Sequence, residues 1–182
     1  MASMWGFRNG RGLQRSDKMK KLLSIGMLCV MLLSLVGCVD KEAQEAVCEY
    51  INTTSVSLKE QEQNMLASYS SVIGMNYTDD NTLCMELVTN TIPMATSLKS
   101  SAEAISETIT VEELAEVHNL YVSYVSEFLD ALNLLITAVD EQDKTISAQA
   151  NEKLNNANVM ASEFRTGLQS LAEEYEITSE SE

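Results

Sequence analysis

Apolar residues recur every three or four positions over most of residues 41–175, which is the period of amphipathic helices. The pattern is clearest in two segments, at about 111–140 and about 144–175. In the first segment the apolar positions are Leu114, Val117, Tyr121, Tyr124, Phe128, Ala131, Leu135 and Ala138. In the second they are Leu154, Ala157, Ala161, Phe164, Leu168, Leu171 and Tyr175. We expect each segment to form a helix with one buried face.

Two earlier segments, at about 41–73 and about 81–107, follow the same period less regularly. Pro93 lies inside the second of them and predicts a kink or a break, because proline lacks a backbone donor. Residues 52–57 are poor helix formers, which leaves open whether the first helix is interrupted there. The apolar stripe of the second helix reads Cys84, Val88, Ile92, Ala95, Leu98, Ala102 and Ile105.

Short polar segments separate the four predicted helices and carry helix-start signals. Asp80 or Asn81 is expected to cap the second helix, and Thr110 with Glu113 fits a capping box before the third. Short connections favour antiparallel neighbours. The predicted fold is therefore all-α, an antiparallel up-down-up-down four-helix bundle, followed by an acidic tail over residues 176–182.

The N-terminal residues have a different pattern. Lys20 and Lys21 precede an apolar run that ends in Leu35-Val36-Gly37-Cys38. A basic start, an apolar run and small residues at the end are typical of a secretory signal. The run is shorter than the roughly 20 apolar residues of a spanning helix, which disfavours an uncleaved signal anchor.

This segment resembles the signal peptide and lipobox of bacterial lipoproteins. The resemblance implies that Cys38 receives a diacylglyceryl group, that the chain is cut between Gly37 and Cys38, and that the new N-terminus can gain a further acyl chain such as palmitate. It implies a signal peptide over 19–37 and a mature, lipid-anchored part over 38–182. Residues 1–18 are expected to precede the native start or to be disordered.

Division of the chain at Cys38 changes the picture of its charge. Residues 38–182 hold six basic and 26 acidic side chains, a formal charge of −20. Nucleic-acid binding rests on cationic contacts to phosphate, so this balance argues against it. It also argues against electrostatic adsorption to anionic lipid. A strongly acidic surface favours solubility and attracts cations or basic partners.

Some acidic residues cluster in two of the predicted turns. Asp79 and Asp80 lie in the first turn, whereas Asp140, Glu141 and Asp143 lie in the third. The proposed topology places both turns at the end away from the membrane. Helix capping and solubility explain these residues; the alternative is an acidic tip that binds a cation or a basic partner.

The chain offers little material for catalysis. His118 is its only histidine, so a nucleophile with a base and an orienting group is hard to assemble, and a di-metal site that needs two histidines is disfavoured. We expect a structural histidine, the alternative being a haem ligand. Cys48 and Cys84 should lie near opposite ends of the bundle, too far apart for a disulfide.

These observations predict a non-catalytic binding or structural module of the bacterial cell envelope. The expected location is the extracytoplasmic face of the cell membrane, or of the outer membrane in a cell that has one. Expected partners are the membrane, through the lipid, and either an envelope protein or a second copy of the chain. Apart from that lipid, no cofactor and no metal site is predicted. The alternative is a lipoprotein that binds a small ligand, haem or a metal cation.

Overall fold

Helices account for most of residues 40–177, which are the residues described by this computed structural model. No strand occurs among them, so the predicted all-helical class is confirmed. The α-helices are α1 (Lys41–Glu49), α2 (Ser55–Ser70), α3 (Asp80–Glu86), α4 (Ile92–Ser106), α5 (Glu112–Glu141) and α6 (Lys144–Glu174).

Two short π-helical segments join these helices into longer rods. Tyr50–Thr54 continues α1 into α2, and Leu87–Thr91 continues α3 into α4. We call residues 41–70 the first rod and residues 80–106 the second rod. With α5 and α6, the described part of the chain therefore has four long helical segments. The poor helix formers at 52–57 do not interrupt the first rod: residues 52–54 belong to the π segment and residues 55–57 to α2.

The π segment of the second rod corrects the predicted apolar stripe. Val88 is 55% exposed, whereas Leu83, Leu87, Thr91 and Ala95 are buried at every fourth position. In a regular α-helix, residues four positions apart drift gradually around the helix. The wider π turn offsets this drift, so these four residues stay on the same buried face. The Thr91 side chain is buried, and its hydroxyl forms a hydrogen bond of 2.7 Å with the Ser68 hydroxyl of α2.

Pro93 does not break the second rod. It stands in the first turn of α4, directly after the π segment, where its missing N–H costs little. Of the kink or break predicted at Pro93, the break does not occur, and the departure from α-helical geometry lies in the π segment just before the proline.

Aspartate side chains cap three of the helices. Asp40, Asp79 and Asp143 accept hydrogen bonds from the backbone N–H groups of residues two or three positions later. Asp79 thus takes the capping role that the sequence had suggested for Asp80 or Asn81.

The capping box predicted for the third helix is wrong. The N-cap is Val111, without a side-chain hydrogen bond, and α5 begins at Glu112. Val111 packs against the core instead. Thr110 therefore lies one residue before the N-cap position and cannot cap α5.

The described helices pack around one core. Helix α5 contacts α4 on one side and α6 on the other, while α2 packs on α4 and α1 on α6. Fully buried residues from each rod meet there, among them Val47, Leu58, Met65, Leu98, Val125, Leu132 and Ala157.

Helix α5 is the most apolar of the described helices. By length and composition alone it could cross a membrane, since its most apolar window has a mean hydropathy of 1.4. A helix at the centre of a soluble domain has the same properties. In this chain α5 packs against both α4 and α6, and it carries buried polar side chains that bond to other helices.

Candidate functional site

The predicted lipidation site lies outside the described residues. Gly37 and Cys38 precede Asp40, the first residue of the described part. Helix α1 begins at Lys41, three positions after Cys38 in the sequence.

The two acidic turns of the predicted tip are close to each other. The Gln142 side chain of the third turn donates a hydrogen bond of 3.2 Å to Asp80 of the first turn. Asp80 also accepts one of 2.7 Å from the Tyr77 hydroxyl. Gln142 itself has a left-handed backbone, with φ of 52°, and ends α5. The structure thus brings Asp80 beside the turn that contains Asp140, Glu141 and Asp143.

Two of these five acidic residues act as helix caps. Asp79 accepts from the Thr82 N–H at 2.9 Å, and Asp143 accepts from the Thr145 N–H at 2.6 Å. These hydrogen bonds lower the pKa of both carboxyl groups. Within residues 40–177, no three His, Cys, Asp or Glu side chains are arranged to hold a metal ion. Helix capping therefore accounts for Asp79 and Asp143.

His118 is fully buried and hydrogen-bonded at both ring nitrogens. Its Nε2 lies 2.8 Å from the Ala102 carbonyl oxygen, which can only accept, so Nε2 carries the proton. Its Nδ1 lies 2.6 Å from the Tyr50 hydroxyl, which donates to it. Burial lowers the pKa of His118, which favours the neutral ring. The residue links the first rod, α4 and α5, and this structural role occupies both ring nitrogens, one of which a haem iron would need.

Cys48 and Cys84 are both free thiols, in agreement with the expectation that they do not pair. Each is half-buried rather than part of the core. Burial and the nearby Asp140 and Asp80 carboxylates raise the pKa of Cys84, so its thiol form is favoured.

A groove between α2 and α6 is a feature that the sequence did not predict. It encloses about 380 Å³, within the range of about 300–1,000 Å³ of small-molecule sites. Its floor is formed by Tyr121 and Tyr124 of α5, and its apolar walls by Leu66, Phe164 and Leu168. The first rod contacts α6 mainly through α1, so the groove opens farther along, where α2 faces α6.

Charged side chains line the same groove. Glu62 of α2 accepts a hydrogen bond of 3.0 Å from the Tyr124 hydroxyl, and the Tyr121 hydroxyl lies 3.4 Å from its other oxygen. Burial and the Glu62 charge raise the pKa of both tyrosines, so both stay protonated donors. Lys59 and Arg165 also line the groove, and neither forms an ion pair with a described residue.

The sequence contained a signal for the buried histidine but not for the groove. His118 follows Leu114 by four positions and precedes Tyr121 by three, so the helical period places it on the core face. The groove depends on how α2 and α6 are spaced across α5. Helical period within single segments carries no information about that spacing.

Comparison with known proteins gives this chain no relatives. No protein-family model, no curated protein and no solved structure matches it.

Proposed function

We propose that this protein is a lipid-anchored, extracytoplasmic lipoprotein that acts as a non-catalytic binding or structural module of the bacterial cell envelope. The observation that carries the proposal is the sequence Leu35-Val36-Gly37-Cys38 after a basic and apolar leader. An all-helical domain begins three positions after that cysteine, at Lys41. A lipid on Cys38 would leave almost no linker, so the domain would stand close to the membrane. A diacylglyceryl group brings two acyl chains, which is enough for stable anchoring.

We further propose that the four helical segments form an antiparallel up-down-up-down bundle. The hydrogen bond from Gln142 to Asp80 supports placing the first and third turns at one end. The hydrogen bond of 2.7 Å from the Gln44 side chain to the Tyr175 carbonyl supports placing both termini of the bundle at the other. In this arrangement the acidic turns point away from the membrane.

The surface next to the acidic turns supports a role in binding a protein partner. Met75 is fully exposed in the first turn, and Met85 and Val88 on the second rod are 58% and 55% exposed. We propose that these side chains form one apolar patch, since contiguous exposed apolar patches mark contact surfaces whereas single exposed residues are ordinary. Either an envelope protein or a second copy of the chain would cover them.

A small-ligand carrier is the second candidate, and the groove between α2 and α6 is the observation that favours it. Haem binding has less support, because His118 uses both ring nitrogens within the protein. A cation at the acidic tip also has less support, because two of the five tip carboxylates already cap helices.

Metabolic labelling with an alkyne analogue of palmitate tests the anchor. The full chain is expressed in a bacterium, and the label is detected on the purified protein. Cys38→Ser should abolish the label, because it removes the thiol that accepts the lipid. The matched control is Cys29→Ser, a cysteine of the same segment, which should keep the label. Label retained in Cys38→Ser would refute the proposal.

A further inference from the structure

We propose that the groove between α2 and α6 binds a small organic anion with an apolar body. This inference rests on the proposed binding role and specifies its ligand. The volume of about 380 Å³ suits a small molecule rather than a folded partner. Both walls are helices that pack against α5 or α4, so the groove exists before a ligand arrives.

The groove combines a buried apolar floor with polar atoms at defined places. Tyr121, Tyr124 and Phe164 are 2%, 3% and 7% exposed, so their rings are held firmly by the core. Leu66 and Leu168 are half-buried and line opposite walls. An apolar ligand body would cover these partly exposed side chains and gain hydrophobic free energy.

The charges lining the groove differ from those of the whole domain. Residues 38–182 carry −20, with only six basic side chains, yet two of those six line this one groove. The only acidic residue of the lining, Glu62, is shared by two tyrosine hydroxyls. The lining therefore has a net charge of +1 on a strongly acidic protein, which favours an anionic group over a cationic one.

Lys59 and Arg165 are placed to receive that anionic group. Lys59 projects from α2 and Arg165 from α6, so the two cations come from opposite walls. The Arg165 Nε donates a hydrogen bond of 2.9 Å to the Ala161 carbonyl, which holds the guanidinium along α6 beside the groove. Both side chains are exposed at the rim, where a carboxylate or sulfonate would keep part of its hydration.

Photocrosslinking with 4-benzoylbenzoate tests the inference, and benzophenone serves as the same apolar body without the charge. The full chain is expressed in a bacterium and recovered from the membrane or the soluble fraction, and the crosslinking is done at low salt. The crosslinked peptides are then mapped by mass spectrometry. We expect saturable labelling of residues 55–66 and 161–168. At subsaturating probe, Lys59→Gln/Arg165→Gln should reduce this labelling by about fivefold to tenfold, and benzophenone labelling should stay unchanged.

Two variants make the test specific. Lys41→Gln/Lys144→Gln removes the same charge at exposed lysines outside the groove and should leave labelling unchanged. Glu62→Gln removes the one acidic charge of the lining while keeping an acceptor for the tyrosines, and it should strengthen labelling.

Labelling that does not saturate, maps elsewhere or is unaffected by Lys59→Gln/Arg165→Gln would overturn the inference. Absence of the palmitate label from the unmutated protein would refute the anchor alone, because the crosslinking result does not depend on where the chain is attached.

Discussion

At the scale of single residues, the link between Tyr50, His118 and Ala102 joins three helical segments through one buried ring. Each polar atom of the link has a partner, and no described buried side-chain nitrogen or oxygen lacks one. The neutral ring matches its surroundings, because Nε2 donates and Nδ1 accepts. Protonation of Nδ1 would turn the Tyr50 hydroxyl from a donor into an acceptor and leave its own hydrogen without a partner among the described residues.

The folded domain should lose stability as the pH falls through the ordinary pKa of histidine. The pKa of His118 is lowered in the folded state by burial, whereas the unfolded chain titrates near 6.5. As the pH falls below about 6.5, the unfolded state gains a proton that the folded state resists, so the free energy of unfolding decreases. The decrease ends below the folded-state pKa. Urea unfolding between about pH 7.5 and 5 measures it, in a range where the lowered carboxyl pKa values of Asp79 and Asp143 have little influence.

His118→Leu is the control for this pH dependence. It should flatten the curve between about pH 7.5 and 5, because the titrating group is gone. It should also lower stability by about 2 kcal/mol at neutral pH, since it leaves the buried Tyr50 hydroxyl unpaired. An unchanged pH dependence in this variant would show that another group causes it.

At the scale of helices, the sequence predicted the number of long helical segments and the buried faces of α5 and α6, but not the buried face of the second rod around its π segment. The period of α5 and α6 was regular enough to place both within one or two residues. The helical period did not predict the buried face of the second rod correctly. Its π segment places Leu87, rather than Val88, in the core. The groove could not be predicted from the sequence, because its lining residues come from three separate helices. Only the packing of α2 and α6 around α5 brings them together.

A close approach between α5 and α6 at Gly167 gives a sharp packing prediction. A Cβ atom added at Gly167 of α6 would lie 2.8 Å from Cγ2 of Val117 on α5. Valine has a stiff side chain, so it cannot easily turn away. Gly167→Ala should therefore destabilise the domain by about 1–3 kcal/mol, despite the better helix propensity of alanine. Urea unfolding measures the loss.

Val117→Ala should rescue this variant in part. The double variant Gly167→Ala/Val117→Ala should be more stable than the sum of the single changes predicts, because the clash requires both side chains. Additive effects would mean that α5 and α6 are farther apart at this point.

The capping aspartates give a prediction at the ends of the helices. Asp79→Ala and Asp143→Ala should each lower the thermal midpoint by a few degrees, because each removes an acceptor from the first turn of a helix. Asp140→Ala is the matched change in the same turns and should have a smaller effect, since Asp140 caps no helix. Equal effects of the three changes on the melting curve would contradict the capping role.

At the scale of the whole molecule, the parts fit one arrangement. A lipid at Cys38 would fix one end of the domain at the membrane, and the proposed bundle would present its acidic turns and exposed methionines at the far end. The groove between α2 and α6 would open on the side of the bundle. The anchor is therefore the claim on which the orientation of every other surface depends.

The intact mass of the mature protein tests that claim most directly. The full chain is expressed in a bacterium, extracted from its membranes with detergent and measured by mass spectrometry. We predict a chain that begins at Cys38 and carries the added mass of a diacylglyceryl group, with or without one further acyl chain. An unmodified chain that begins at Met1 or Met19, or one cut before any other residue, would contradict the account.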